Sequence, residues 1–243
     1  MTIDEVPRLI VEHSPDALIL LDHDGVVRWW NRAAERIYGF ESHEAIGRPM
    51  IDLLAPAGGS FDDPPPDEWA PREMMHRRKD GTVIHVRCSL RVQRDADGVV
   101  LHRVCSISDL TAARVAADTN LLRARYQNLL ESLPDAVVVV NDSGRIVLFN
   151  AQATALFGHR PPTAIGHPIE ILLPERFRAL HLPQRTEFLR SPRLRPMGRG
   201  LELLGLRADG SEFPVEISLS PIEIDGRRMV MSAIRDISDR KRI

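Results

Sequence analysis

Apolar positions fall into short runs that recur in the same order in the two halves of the chain. Ala17–Leu21 and Ala136–Val140 are continuous apolar stretches rich in branched side chains, a pattern typical of buried strands. A turn signal follows each run, at Asp24–Gly25 and at Ser143–Gly144, and predicts a hairpin. Each half is therefore expected to begin with a pair of antiparallel strands.

The returning strand of each hairpin leads into a helix. Val26–Trp30 and Arg145–Phe149 are the predicted return strands, and each is followed by an asparagine and an Ala-rich segment. Asparagine is a preferred first cap of a helix, and glycine commonly ends one. The caps expected are Asn31 with Gly39, and Asn150 with Gly158.

Three further strands complete each half. Their apolar residues alternate around Asp80–Gly81 and Asp209–Gly210, which are again turn signals. Two strands, short helices and three strands predict an α+β fold, with a five-stranded antiparallel sheet and helices on one face. The later strands expected are Val83–Leu90, Val99–Ile107, Phe213–Leu219 and Met229–Ile234.

The two halves are copies of one unit. Matching residues lie 119 positions apart from Pro15 and Pro134 onward, and 129 apart at Gly81 and Gly210. The second copy has therefore gained ten residues between Leu173 and Arg207. Two long copies indicate a domain duplication rather than a solenoid. The expected domains are 1–110 and 133–243, joined by a helical linker at 111–132.

The linker carries a heptad pattern. Val115, Leu122 and Leu129 are seven residues apart, and so are Thr119, Tyr126 and Leu133. One interpretation is that these positions form the coiled-coil seam of a homodimer, in which the faces of the two chains' domains also contact each other. The alternative is an amphipathic helix that packs on the sheet of its own domain. The narrow stripe favours the dimer.

Composition limits the function classes. The net charge is only −2, and neither half is basic enough to suggest a nucleic-acid partner. No apolar run approaches the roughly 20 residues of a membrane span, and the acidic start Met1–Glu5 is unlike a signal peptide. We expect a cytoplasmic protein with no membrane segment, whose two cysteines, Cys88 and Cys105, are reduced thiols.

The ordered motifs resemble the PAS family. They are PDA, the hairpin DG or SG, WNRAAERIYGF and FNAQATALFG, IG-P, R-DG-(T/S) and a closing I-D, and they occur twice. The resemblance implies a sheet that cups a cavity for a small ligand or cofactor.

The lengthened segment of the second copy, Leu172–Arg207, resembles haem-binding PAS domains of the FixL and DosP oxygen-sensor type. In that pattern a Pro precedes an Arg by four residues and a His by seven, as Pro174, Arg178 and His181 do here. The resemblance implies that His181 is the proximal ligand of haem b iron, and that a diatomic gas is the signal. The other cofactor-binding residues expected are Arg178, Arg199, Leu201, Ile217, Leu219 and Met231.

The second copy also departs from that pattern. Those sensors place a distal Arg nine residues before the Gly of the R-DG turn, and Leu201 occupies that position. Arg199, two residues earlier and on the same strand face, is the candidate substitute. The alternative is that the cavity holds another ligand or none, and that His181 lies on the surface of a helix Glu175–Leu182.

The first copy has no histidine that matches His181, and His76 is expected at a strand edge. Trp29 and Trp30 are adjacent on a strand and therefore face opposite ways, so one of them is a candidate wall for a flavin. Core packing is the favoured alternative. A photoreceptor of the LOV type is not expected, because Cys88 and Cys105 fall on strands rather than on a helix.

No enzyme motif is recognisable. A P-loop, a nucleophile elbow and a histidine-kinase, cyclase or phosphodiesterase signature are all missing from the sequence. We expect the sensory part of a larger signalling protein, with a downstream effector such as a histidine kinase of a two-component system or a diguanylate cyclase. A cofactor-free dimerisation or interaction module is the alternative.

Overall fold

The computed structural model describes residues 6–54, 69–190, 195–197 and 203–238. The chain divides between Thr111 and Ala112 into two compact units, each described here by itself. Among the described residues, no helix combines the length and the apolar character needed to cross a lipid bilayer.

The first unit is a five-stranded antiparallel sheet in the order β2-β1-β5-β4-β3. Gly25, in the turn of the first hairpin, and Gly39, which ends the helix after that hairpin, both adopt a positive φ near 79°, a conformation that favours glycine. The elements are α1 (Val6–Glu12), β1 (Ala17–Leu21), β2 (Val27–Trp30), α2 (Arg32–Tyr38), α3 (Ser42–Ala45), α4 (Met50–Leu53), β3 (Trp69–Arg77), β4 (Val83–Arg94) and β5 (Val100–Asp109).

The second unit has the same strand order, β7-β6-β11-β10-β8, with one difference at the edge. Two short strands, β8 and β9, pair with different parts of β10 where the first unit has the single strand β3. The elements are α5 (Thr111–Glu131), β6 (Ala136–Asn141), β7 (Ile146–Phe149), α6 (Ala151–Phe157), α7 (Pro161–Ala164), a 3-10 helix (Ile169–Leu172), α8 (Glu175–Arg190), β8 (Arg195–Met197), β9 (Leu203–Leu206), β10 (Glu212–Ile224) and β11 (Arg227–Asp236).

The predicted cap asparagines are fully buried, and each makes four hydrogen bonds to the backbone. The side-chain oxygen of Asn150 accepts from the amides of Val137 and Ala153, and its nitrogen donates to the carbonyls of Leu130 and Asp135. Asn31 makes the same four bonds, each to the residue 119 positions earlier: Leu18, Ala34, Val11 and Asp16. One side chain thus joins the preceding helix, the first strand and the following helix.

The duplicated unit begins earlier than the sequence motifs indicate. The Glu12 carboxylate, at the end of α1, accepts a hydrogen bond from the amide of Arg32. Glu131, at the end of α5 and again 119 positions later, accepts from the amide of Ala151. The last turn of the linker helix is therefore the second unit's counterpart of α1. The pair Glu12 and Glu131 is a sequence signal that the motif comparison missed.

The linker helix α5 packs on the sheet of its own unit along part of its length. Val115 and Leu122 are buried there against the face of β6, β7 and β11 that points away from α6–α8. These two positions of the predicted seam are thus buried within one chain, as in the alternative interpretation of the heptads. Tyr126 and Leu129, in contrast, are 38% and 62% exposed.

A buried carboxylate fastens α5 to that sheet. Asp118 is 1% exposed and accepts hydrogen bonds from Asn141, at the end of β6, and from Arg227, at the start of β11. The side-chain oxygen of Asn141 in turn holds the β6–β7 turn through the amides of Ser143 and Arg145. The helix position is therefore coupled to two hairpin ends of the sheet.

Replacing one buried asparagine by aspartate tests the role of its amide. Asn150→Asp places acceptors where the Leu130 and Asp135 carbonyls need donors, so we expect a loss of about 3 kcal/mol in the free energy of unfolding at neutral pH. Asn128→Asp, an exposed position on α5, is the matched control and should change stability by less than about 0.5 kcal/mol. Urea denaturation measures both, and equal losses would contradict the assigned role.

Candidate functional site

The central strands of the second unit present two different faces. Ile217 and Leu219 of β10 and Val230 of β11 belong to the face covered by α6–α8, as the predicted alternation requires. Met231 lies on the other face, with the residues that pack against α5. The prediction that Met231 lines the ligand side is therefore wrong, because its neighbour Val230 takes that side of the pleat.

The helix-covered face is less completely buried in the second unit than in the first. Ile217 and Leu219 are only half-buried. Their counterparts 129 positions earlier, Cys88 and Leu90, are each 1% exposed. The second unit therefore offers an apolar wall that its own described side chains do not fully cover, whereas the first does not.

His181 is hydrogen-bonded to a buried carboxylate. Its Nδ1 lies 2.8 Å from Oε1 of Glu170, which is in the 3-10 helix and 6% exposed. The second oxygen of Glu170 accepts from Arg185, one helical turn beyond His181 on α8, at 3.2 Å. The sequence singled out His181 but not its two partners, because Glu170 is eleven residues away and outside any motif.

The charge of Glu170 is maintained by these partners. Burial by itself raises the pKa of this carboxyl group, but the hydrogen bond from His181 and the charge of Arg185 outweigh burial and hold the pKa below its ordinary value. An ionised carboxylate can only accept, so Nδ1 of His181 carries the proton in this bond. In the neutral ring, Nε2 then has the lone pair that binds a metal.

Arg185 occupies a place that only glycine leaves open. Its guanidinium donates to the carbonyl of Gly144 at 3.1 Å, and a Cβ at Gly144 would lie 1.6 Å from Nη1. Gly25, the counterpart in the first unit, has nothing within 4 Å of such a Cβ. The hairpin glycine of the second copy thus has a packing role in addition to its turn conformation.

Of the remaining predicted site residues, one lies on α8 and two lie outside the described residues. Arg178 is half-buried on α8, and its Nε donates to the carbonyl of Leu173 at 3.1 Å. Arg199 and Leu201 lie outside the described residues, so their predicted distal role stays a prediction. The helix that carries Arg178 and His181 continues to Arg190, past Pro183, instead of ending at Leu182.

The donor set fits a haem iron. Protein histidines that bind metals usually donate their second N–H to a carboxylate or carbonyl, which fixes the ring and raises its basicity. Glu170 stands in that relation to His181, and the half-buried Ile217 and Leu219 supply apolar surface in the same unit. His181, oriented by a carboxylate, could hold a haem iron, and the same unit offers an incompletely covered apolar surface for the ring.

The first unit does not fit a flavin on the equivalent face. Trp30 is 3% exposed and packs at 5.8 Å from the ring of Tyr38, while its Nε1 donates to the carbonyl of Phe40. The described strand residues beneath it are covered as well: Ile84, Val86, Cys88 and Leu90. Trp29 is half-buried, with the guanidinium of Arg8 over its ring. Both tryptophans therefore have packing roles.

The R-DG motif closes each unit by an ion pair. Arg78 lies 3.0 Å from Asp109 at the end of β5, and Arg207 lies 2.9 Å from Asp236 at the end of β11. The arginine of the R-DG motif and the aspartate of the closing I-D motif are about thirty residues apart in sequence, and they contact each other directly. It ties the turn that precedes β4 or β10 to the last strand of the same unit.

Neutralising Glu170 tests the buried network. Glu170→Gln removes the buried carboxylate that pairs with both Arg185 and His181, so we expect a loss of about 3 kcal/mol in unfolding free energy at pH 7. Because the folded pKa of Glu170 is depressed, its contribution is present above the ordinary value of 4.5 and is lost as the pH falls through the folded value. The difference between variant and wild type should therefore shrink below about pH 4.5.

The control for this experiment is Glu175→Gln, at an exposed position in the first turn of α8. It should cost less than about 0.5 kcal/mol. A gap between Glu170→Gln and wild type that persists unchanged to pH 3 would contradict the ionised state of Glu170.

Comparison with known proteins agrees with the two-unit architecture. Residues 5–110 match the family described as PAS fold, and residues 134–239 match the family described as PAS domain. The sensor protein FixL of Bradyrhizobium diazoefficiens is 26% identical over 155 residues, which are 63% of this chain and 31% of that protein. The oxygen sensor protein DosP of Escherichia coli is 29% identical over 133 residues, 53% of this chain and 16% of that protein.

A third relative aligns with nearly the whole chain. The cell-division control histidine kinase PdhS of Brucella abortus is 25% identical over an alignment of 253 positions, which covers 98% of this chain and 22% of that protein. The chain thus spans less than a third of each of these three relatives. Two matches in tandem, on two sheets of the same strand order, identify the chain as a member of the PAS family with two PAS domains.

Proposed function

We propose that this chain is the gas-sensing region of a signalling protein, and that its second PAS domain binds haem through His181. The observation that carries the proposal is the hydrogen bond between Nδ1 of His181 and the buried carboxylate of Glu170. The first PAS domain has no histidine in its sequence that matches His181, and the described strand residues under its helices are buried, so haem is assigned to the second domain alone.

Each residue of the network has a defined task in this proposal. Haem, when bound, supplies an iron atom that takes up a diatomic gas. His181 offers Nε2 to the iron, and Glu170 fixes its tautomer and increases its basicity. Arg185 keeps Glu170 ionised and holds it beside Gly144. Ile217 and Leu219 exclude water from the ligand side of the sheet.

The named functions of relatives support the same proposal. FixL is named a sensor protein and DosP an oxygen sensor protein, and both align with this chain. PdhS, whose aligned part covers nearly the entire chain, is named a histidine kinase. We therefore propose a kinase-type effector as the partner that reads the signal, with α5 as the element that transmits it between domains.

The exposed part of α5 supports a homodimer. Tyr126 and Leu129 continue the heptad seam beyond the stretch that is buried on the sheet. Apolar side chains at these two positions are available to a second copy of the helix, whereas Val115 and Leu122 are not. The proposed interface is therefore the C-terminal half of the predicted seam.

Haem binding is tested by reconstitution. Purified protein titrated with haemin should develop one sharp absorption band near the blue edge of the visible at one equivalent. His181→Ala should abolish this band, and Glu170→Gln should weaken binding on the order of 10-fold. His167→Ala, an exposed histidine of the same domain, should bind as wild type does. Retained binding in His181→Ala would exclude His181 as the ligand.

The alternative is a cofactor-free interaction module. It predicts that folded protein stays colourless with haemin and that His181→Ala and His167→Ala behave alike. Circular dichroism of each variant separates loss of the ligand from loss of the fold.

The dimer is tested by two leucine substitutions. Leu129→Asp should convert a dimer to a monomer at micromolar concentration in sedimentation analysis, with stability unchanged within about 0.5 kcal/mol, because Leu129 is 62% exposed. Leu122→Asp should instead destabilise the domain by about 3 kcal/mol, because Leu122 is 1% exposed. Wild type that is monomeric at these concentrations would contradict the proposed interface.

A further inference from the structure

The two cysteines of the chain meet in the core of the first PAS domain. Cys88 is in β4 and Cys105 in β5, and their Sγ atoms are 3.3 Å apart. Both thiols are unoxidised and buried, at 1% and 0% exposure. They are 17 positions apart in sequence, and their proximity on the sheet is not apparent from either cysteine alone.

We propose that Cys88 and Cys105 form a reversible disulfide, which makes the first PAS domain a thiol-based peroxide sensor that needs no cofactor. This inference is independent of haem in the second domain. It gives the first domain a sensing chemistry of its own, on the face where a flavin does not fit.

The strand register places the two sulfur atoms 3.3 Å apart. In the β4–β5 ladder, Cys88 is opposite Ile107 and Cys105 is opposite Leu90, so the cysteines are diagonal neighbours on the same face. A disulfide has an S–S distance of about 2.05 Å, so the sulfur atoms need to approach by only about 1.3 Å. Diagonal neighbours on adjacent strands are about 7–8 Å apart, beyond the roughly 4.4–6.8 Å between the Cα atoms of most disulfides, so the bond requires the two strands to approach each other as well as the side chains to rotate.

The surroundings favour Cys88 as the reactive thiol. The hydrogen bond from Cys105 lowers the pKa of Cys88, burial opposes this effect, and the positive charge of Arg72 lowers the pKa further. Arg72 lies directly opposite Cys88 in β3. The same hydrogen bond raises the pKa of Cys105, and burial raises it further. The two shifts therefore favour Cys88 over Cys105 as the thiol that ionises first.

Other polar groups lie in the same core. The hydroxyl of Tyr38 is 2.8 Å from Nδ1 of His76, and both side chains are fully buried. Burial, with a contribution from the charge of Arg72, lowers the pKa of His76 to about 4, so this histidine is neutral at neutral pH. His76 therefore adds no positive charge to that of Arg72.

The reaction is balanced with peroxide as the oxidant. The Cys88 thiolate attacks one oxygen of hydrogen peroxide, the O–O bond breaks, and the leaving hydroxide takes up a proton to give water and a Cys88 sulfenic acid. The Cys105 sulfur then attacks the sulfenic sulfur, the S–O bond breaks, and the Cys105 proton leaves with the hydroxyl group as a second water. Two thiols are oxidised by two electrons, and a dithiol reductant reverses the change.

β5, which carries Cys105, is connected by hydrogen bonds to the start of the following helix. β5 ends at Asp109, whose carboxylate pairs with Arg78 and accepts a hydrogen bond from the amide of Thr111 at 2.8 Å. Thr111 is the first residue of α5. A displacement of β5 by the disulfide therefore acts on the residue that starts the linker helix.

The test is stepwise oxidation of the whole chain in the absence of haem. After hydrogen peroxide treatment, denaturation and alkylation with iodoacetamide, the wild type should lose both reactive thiols and two hydrogens of mass, and dithiothreitol should restore both. Two alkylated thiols after oxidation, stable sulfinic acid, or chain-to-chain crosslinks would each overturn the proposal. None of these outcomes depends on whether the second domain binds haem.

Single variants assign the roles of the two thiols. In Cys105→Ser, Cys88 should accumulate as a sulfenic acid that dimedone traps. In Cys88→Ser, dimedone labelling of Cys105 should be at least tenfold slower. Equal labelling rates would overturn the assignment of Cys88 as the attacking thiol. Cys88→Ala and Cys105→Ala repeat the comparison without burying a new hydroxyl group, in case a serine variant fails to fold.

Discussion

An asparagine side chain with four backbone hydrogen bonds holds three chain segments together in each PAS domain. Asn31 and Asn150 each satisfy two amides and two carbonyls that would otherwise be buried without partners. Because unpaired backbone groups are costly in a core, the first strand, the next helix and the preceding helix take positions that are set by one amide group. The sheet, its hairpin and the helices that carry candidate ligands are built outward from this point.

The two domains share these hydrogen bonds and the same strand order, but their interiors differ. In the first, the strand face under the helices is closed by Cys88 and Leu90, and its described polar groups include the thiol pair and the Tyr38–His76 pair. In the second, the corresponding Ile217 and Leu219 stay half-buried, and a carboxylate–imidazole pair lies in the helical layer. The duplication has thus kept the hydrogen bonds of the frame while the chemistry of the interior diverged.

Local signals predicted most of the frame. The hairpin glycines, the asparagine caps and the alternating strands are determined by neighbours in sequence, and the structure confirms them. Contacts between distant segments could not be predicted in this way. Glu170 and Arg185 acquire their roles only through packing with His181, and Met231 takes its face from the register of β11 with β6. The burial of His76 depends on Tyr38, 38 residues away.

The equivalence of Glu12 and Glu131 bears on where one evolutionary module ends and the next begins. Each PAS domain brings its own leading helix, so the end of the linker is inherited with the second domain rather than added between two complete ones. A recombination event that joined this domain to another protein at residue 133 would leave the amide of Asn150 without the Leu130 carbonyl. Recombination with another protein is compatible with the fold only when the breakpoint lies in the part of α5 that precedes Leu130. Modules of this kind are therefore expected to be spliced within helices, where the length of the retained helix sets the phase between successive sensors.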